Sequence, residues 1–476
     1  MRPRRRLIGI AIAVLAASVV ILPASAAASR AKKPWPPVPD RGKLFAHYGE
    51  EHLDDDDGIR IFPHVIRDSA RYRPDAVTAS GDKASDNSVE NLTGWKEQMG
   101  FYDGKGIPYY PAVGNHDRSQ PGTEGIGSVF NGGDISNYVE IFADRPYPFG
   151  DAPPVVSKGF EPSTRPPTDP AGASTYYAIE IGSVRWIFLD NSCFSFLNCD
   201  PYQNPTLPDQ EGNPTQYDFM RAQATLATRE NDLAFVVMHM PTQDPRPGHS
   251  QPTPSAHNMG EGSSPENGTF EEAAAAAGVD GVFAGHIKGQ WIYSALEVPY
   301  FIDGGAGGEV YVGSGEETGV DSGYWHGFRL MLIRKGRVVV TDTVPVFADG
   351  GITVDGPSDL PSGEVGDFSA IGQQPTEEGP DVKLELRNPS DEASNFENLP
   401  TPARIWTTSD RRVLAPVAAE EDDPRRNKRT QTVSGRFRAR CPGFAYVTVT
   451  SGWEKRRLGV EVADDGDASA GCRAGR

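Results

Sequence analysis

The chain has 476 residues, 37% of them hydrophobic and 9% aromatic, and a formal net charge of -19. That length suggests two or three folding units, and 52 Gly with 41 Pro mark a chain rich in turns and connections rather than long helices. So acidic a surface repels nucleic-acid phosphates and argues against a nucleic-acid-binding face, although a local cationic or metal-bearing pocket still accepts phosphate.

The chain starts with the basic segment MRPRRR, continues through an apolar run from Leu7 to Leu22 and reaches Pro-Ala-Ser-Ala near Ala26. This is the pattern of a secretory signal, assigned to residues 1–26. The apolar run falls short of the roughly 20 residues that span a bilayer, so a membrane anchor over 7–22 is the weaker reading, and no later stretch is apolar enough to span. Removing the signal takes away four Arg and no acid, which moves the formal charge from -19 to -23. Export permits disulfides, and Cys193, Cys199, Cys441 and Cys472 allow three connectivities; pairing of sequence neighbours, Cys193–Cys199 and Cys441–Cys472, is preferred.

Residues 27–42 are Pro-rich and basic and read as a linker. A strand at 43–48 then leads into Glu50-Glu51-His52, and apolar residues at Ile61, Phe62, Val65 and Ile66 have helical spacing. A second strand, 75–79, ends at Gly81-Asp82, followed by a helix over 89–100. A third, 109–113, ends at Gly114-Asn115-His116-Asp117. Residues 118–172 are loop-dominated. Paired strands at 174–181 and 184–192, a helix over 217–229, and a strand at 233–238 ending at His239 follow. A helix over 271–277 and a strand ending at Gly285-His286-Ile287-Lys288 come next, then a strand running into Gly304 to Gly308.

One strand-end His is more often a packed residue than a ligand. Five strand ends bearing Glu/His, Asp, Asn, His and His are a different matter, because carboxylate, amide oxygen and imidazole together form a ligand set for divalent cations. His249 and His257, in a Pro/Gly/Ser-rich loop, read as solvated, as does the acidic run Asp54 to Asp57.

Gly81-Asp82, Gly114-Asn115-His116-Asp117, His239 and Gly285-His286, in that order, resemble the calcineurin-like metallophosphoesterases over roughly residues 43–346. The resemblance implies a four-layered α/β sandwich with divalent metal, one or two ions of Mn, Fe, Zn or Mg, at the strand carboxyl ends. It makes Asp82 a bridging ligand, completes one site with Asn115, His239 and His286, and assigns Glu50 and His52 to the other. It implies that His116 contacts the phosphate and protonates the leaving oxygen, with Asp117 orienting its imidazole. The implied reaction is in-line attack on a phosphate ester by a hydroxide that the metal activates.

Three positions depart from that pattern. Asp86 follows Asp82 by one residue more than is usual for the family's second Asp. Glu50 replaces an Asp, and Lys288 stands where a second His is usual. A charged Lys cannot ligate metal. Lys288 either contacts the substrate phosphate in place of a second cation or turns outward.

Residues 347–381 read as a linker from their Gly, Pro, Ser and acidic content. Short alternating strands return over 382–464 in a pattern resembling bacterial immunoglobulin-like domains, before a tail at 465–476. The favoured function is a secreted metal-dependent phosphoesterase acting on a monoester or diester, with the carboxyl-terminal domain offering contact with the cell envelope. The alternative is a degenerate relative that binds a phosphate ligand or serves adhesion at the cell surface.

Overall fold

The computed structural model describes residues 34–37, 42–118, 135–142, 175–192, 216–246, 265–308, 310, 321–347, 351–374, 382–387, 399–417, 431–464 and 472. The expected signal, the Cys193–Cys199 pair, His249 and His257 lie outside them.

Residue alternation along the strands sorts the first two-thirds of the chain into layers. In β1 (Lys43–Tyr48), Leu44, Ala46 and Tyr48 face one core while Phe45 faces another, as the period of two demands. β2 (Ala76–Ala79) and β3 (Tyr109–Pro111) follow β1 in parallel. The helices α1 (Asp56–Arg71), α2 (Val89–Asp103) and α3 (Ser136–Phe142) bury Phe62, Val65, Trp95, Met99 and Phe142 against the outer face of these strands.

A second sheet is built from β4 (Tyr177–Glu180), β5 (Val184–Phe188), β6 (Leu233–Val237), β7 (Gly281–Ala284), β8 (Gln290–Ala295) and β9 (Val298–Asp303), in the order β4-β5-β6-β7-β9-β8. β5, β6, β7 and β9 run parallel. Helices α4 (Gln216–Glu230) and α5 (Pro265–Ala277) cover its outer face through Met220, Phe270 and Ala274. The first sheet is completed by β10 (Gly327–Arg334) and β11 (Arg337–Pro345), in the order β11-β10-β1-β2-β3. Phe45, Tyr110, Trp186, Phe235, Phe283 and Met331 fill the space between the two sheets. The result is helix, sheet, sheet, helix: the expected four-layered α/β sandwich. The carboxyl ends of β1, β2, β3, β6 and β7 all feed the loops that carry the motifs.

Beyond β11 the chain departs from expectation. Much of 347–381, read as a linker, forms β12 (Ile352–Asp355), β13 (Asp359–Pro361), β14 (Val365–Asp367) and β15 (Ser369–Gln374). Each is three to six residues long and contributes only one or two apolar side chains, such as Leu360 and Ala370, so composition does not betray them. The remaining strands are β16 (Val382–Glu385), β17 (Ile405–Thr408), β18 (Leu414–Pro416), β19 (Gln431–Thr432), β20 (Arg436–Ala439), β21 (Gly443–Ser451) and β22 (Glu454–Ala463). They form sheets β12-β15-β16, β13-β22-β21-β17-β19 and β14-β20-β18 around Trp406, Phe437, Val447 and Val460. Cys441 and Cys472 are disulfide-bonded, the preferred pairing.

This β region is joined to the α/β layers. Trp453 Nε1 donates to the Asp68 carbonyl at 2.9 Å, its ring lies 5.0 Å from Tyr72, and the Arg71 guanidinium sits 4.2 Å from its centroid. No helix among the described residues is long and apolar enough to cross a membrane.

Candidate metal centre

The strand-end residues converge. Ligand atoms of Asp82, His239 and His286 lie within 4.8 Å of one another, and so do those of His52, Asp82 and His116. Asp82 is common to both groups. Its backbone has φ 57°, and Glu50 (61°), His52 (38°) and His286 (64°) also adopt left-handed conformations. Side chains rarely accept that geometry unless the surroundings enforce it, and such strain collects at functional sites. Gly114 is enforced too: a Cβ there would stand 2.1 Å from the Asp82 backbone N and from Oδ1.

On one side of Asp82, His239 is held from behind by the Ser80 carbonyl, 2.9 Å from Nδ1, so Nδ1 carries a proton and donates it there. Its Nε2 faces Asn115 Oδ1 at 2.7 Å, His286 Nδ1 at 3.1 Å and Asp82 Oδ2 at 3.3 Å. A single proton on Nε2 serves one of these well and leaves the others facing lone pairs. Burial works against a charged imidazole, yet the Asp82 and Glu50 carboxylates raise His239 to about 9. Burial would likewise raise Asp82, but the His239 and His116 imidazoles hold it well below the usual carboxylate range. The donor set therefore draws positive charge into its centre and fits a divalent cation better than a proton.

The other side is closed on itself. Glu50 Oε1 accepts from the His286 backbone N at 2.6 Å, and Oε2 lies 3.2 Å from His52 Nε2, a contact that one proton satisfies. His52 Nδ1 rests against Ser85 Oγ at 3.2 Å and Asp55 Oδ2 at 3.4 Å. Burial and the neighbouring Asp82 push the Glu50 carboxyl up to about 8, against the His239 and Lys288 charges. Burial, the Lys288 charge and His116 lower His52. Lys288 itself is half-buried on the loop after β7, and its charge is felt at both residues.

His116 sits at the mouth of the pocket, 4.9 Å from the His52 ring. Its backbone N donates to Asp82 Oδ1 at 2.8 Å, and Nδ1 faces the Ser85 carbonyl at 2.7 Å. Asp117 does not orient this imidazole, contrary to the expectation from sequence. Its carboxylate is fully buried and accepts from Gly114 N (2.7 Å), Lys83 N (3.1 Å) and Lys83 Nζ (2.7 Å), so its lone pairs are taken up in locking the turn. Asp86 also lies off the site, capping its own turn through Ser88 N and Asn91 Nδ2. The acidic run serves the structure, since Asp54 and Asp55 hold Ser85 at 2.7 and 2.5 Å.

Sequence reasoning assigns no role to the loop after β5, yet this loop ties two walls of the pocket together. Asn191 Oδ1 accepts from the backbone N of His239 and of Met240, both at 3.0 Å. Arg118, next to Asp117, bonds Ser192 Oγ at 2.6 Å and the Asp190 carboxylate. The polar run Asp190-Asn191-Ser192 at a strand end carries the same signal as the other strand-end motifs.

The sequence profile of the calcineurin-like phosphoesterases matches residues 44–289. No curated protein sequence is significantly similar to the chain. Solved structures with a similar fold include GAP50, the anchor in the inner membrane complex of Plasmodium (12% identity, 65% of this chain and 90% of that one, TM-score 0.37). A purple acid phosphatase from yellow lupin (Lupinus luteus) seeds is 12% identical, covering 75% of this chain and 56% of its own, with TM-score 0.39. A dimetal phosphatase from Danio rerio is 13% identical, covering 64% of this chain and 100% of its own, with TM-score 0.36. With the profile spanning more than half of its length, the chain belongs to the calcineurin-like phosphoesterase family.

Proposed function

We propose that the protein is an exported phosphoesterase that depends on a divalent cation and hydrolyses a phosphate monoester or diester. In this reading Asp82, Asn115, His239 and His286 hold one cation tightly. The observation that carries it is the crowding at His239 Nε2, where three ligand atoms approach within 3.3 Å and one proton cannot serve them all. When bound, the cation polarises the phosphoryl oxygens and lowers the pKa of water at the site.

The remaining roles belong to the chain. The Lys288 ammonium takes the outer phosphate oxygens as a point charge, beside the self-satisfied Glu50–His52 pair, and disfavours a second cation at His52, Asp82 and His116. His116, with Nδ1 tethered to Ser85, keeps Nε2 for delivering a proton to the leaving oxygen. Asp117 acts at one remove, by holding the turn that presents Asn115 and His116.

Export has the support of the amino-terminal signal pattern and of the Cys441–Cys472 disulfide. An immunoglobulin-like reading of the carboxyl-terminal strands has the support of β22-β21-β17 in one sheet and β14-β20-β18 in another. Envelope contact through this region is the expected location, and cell fractionation tests it.

The functional test is turnover of an aryl phosphate monoester and a diester with Mn²⁺, beside Asp82→Ala. Metal-dependent turnover lost together with the metal in the variant is expected. Bound metal without turnover on a broad ester panel would replace the reading with a phosphate-ligand-binding protein.

A further inference from the structure

The carboxyl-terminal β region reaches the pocket through a continuous chain of buried contacts. It begins at Gln374, the last residue of β15 and fully buried. Gln374 Oε1 accepts from His326 N at 2.9 Å, and Nε2 donates to the His326 and Val346 carbonyls, both at 2.7 Å. All three side-chain bonds thus fix the backbone on either side of β10 and β11. His326 is also fully buried, and its Nδ1 faces the Gly305 carbonyl at 3.3 Å. Trp325 beside it belongs to the core of the β region.

Gly305 lies within the glycine turn that follows β9, and this turn is pressed against the pocket. Ala306 N donates to the Gly49 carbonyl at 3.0 Å and Gly308 N to the Glu50 carbonyl at 2.7 Å. A Cβ on Gly304 would stand 3.0 Å from Glu50 Cγ, and one on Gly308 would stand 2.8 Å from His52 Cδ2. Gly304 also exchanges backbone bonds with Gly289, at 2.8 and 3.2 Å, next to Lys288. One turn therefore abuts the strained backbones of Glu50 and His52 and the backbone next to Lys288 together. His239 is held elsewhere, by the Ser80 carbonyl at Nδ1 and by Asn191 at its backbone N, and it meets Asn115 through Nε2.

We infer that Gln374 and His326 are positioning residues for the Lys288 side of the pocket, so that the carboxyl-terminal β region is part of the phosphate-binding wall rather than an appended module. The effect is selective. The Gly305 carbonyl also accepts from Gly327 N at 3.0 Å, so loss of the His326 contact loosens the turn rather than freeing it. Glu50, His52 and the backbone beside Lys288 shift, while His239 keeps its own supports in Ser80 and Asn191. This inference rests on the proposed division of labour between Lys288 and the His239 cluster.

The test uses the full chain in three forms, His326→Leu, His326→Asn and Gln374→Leu. Titration calorimetry measures Mn²⁺ binding to each and then inorganic phosphate binding to each Mn²⁺-loaded protein. His326→Leu is expected to weaken phosphate about tenfold while Mn²⁺ affinity stays within about twofold, and His326→Asn, whose amide reaches Gly305, is expected to recover most of the loss. Gln374→Leu leaves buried backbone groups unbonded; if it fails to fold, the His326 pair decides the matter. Phosphate affinity unchanged in His326→Leu, or an Asn variant no better than Leu, overturns the inference and leaves the metal reading standing. Absence of Mn²⁺ binding in the unaltered protein overturns both.

Discussion

On one side of Asp82, His239 Nε2 meets Asn115, His286 and Asp82 within 3.3 Å, and one Nε2 proton serves only one of them. On the other side, Glu50 and His52 meet each other at 3.2 Å, Glu50 takes the His286 amide at 2.6 Å, and the charge of Lys288 stands nearby. Both sides are built from a carboxylate and imidazoles at strand ends. In the proposed reading, what separates them is arrangement: three ligand atoms crowd one imidazole nitrogen on the first side, and a carboxyl–imidazole pair beside an ammonium makes up the second.

The sharpest way to break the comparison is to delete one imidazole from each side. A tight site supplies roughly 10–16 kcal/mol, so losing one of four ligands removes about 3 kcal/mol. His239→Ala should weaken Mn²⁺ by about 100-fold or more, and His52→Ala by only a few-fold, in a chelator competition titration. Equal losses would make the two sides equivalent.

A gentler probe is Asn191→Ala, which leaves the His239 and Met240 amides without their acceptor. Mn²⁺ affinity should fall roughly tenfold, with stability lower by about 1–3 kcal/mol in urea melts. An unchanged affinity would detach this loop from the metal side. On the opposite side, Lys288→Gln should weaken inorganic phosphate by about five- to tenfold and leave the affinity of the tight Mn²⁺ site at His239 unchanged. Phosphate binding that ignores the substitution would remove Lys288 from the pocket's work.

The smallest effect concerns the support behind Glu50. Burial lowers the His326 pKa to about 4, the Gly305 carbonyl only partly opposing it, whereas an unfolded His titrates near 6.5. Between those values the unfolded chain binds the extra proton, so this contribution is complete above about pH 6.5 and declines as pH falls toward 4. From pH 6.5 to 5.5 the loss is about 1 kcal/mol, and His326→Asn should flatten that part of the stability profile measured by denaturant melts. An identical slope in the variant would place the acid sensitivity elsewhere.

Much of the pocket was legible because its residues sit at strand ends, where an apolar run stops at a polar turn. Asp82, Asn115, His239, His286, Glu50 and His52 come together as that pattern implies. The supports were not legible. Ser85 meets His116 across 31 residues, Asn191 meets His239 across 48, and Gln374 meets His326 across 48, and no local periodicity encodes such pairs. Asp117 was misassigned for the same reason, since the burial of Lys83 beside it is a tertiary fact. The strands between Ile352 and Gln374 were hidden by shortness, each offering too few alternating positions to rise above its Gly, Pro and acidic neighbours.

Elemental analysis of the purified full chain, after dialysis against metal-free buffer and with parallel Lys288→His protein, tests the asymmetry most directly. About one equivalent of divalent metal is expected in the unaltered protein, rising toward two when the ammonium is replaced by imidazole. Two equivalents retained with Lys288 in place would contradict the division of the pocket into one metal side and one phosphate side.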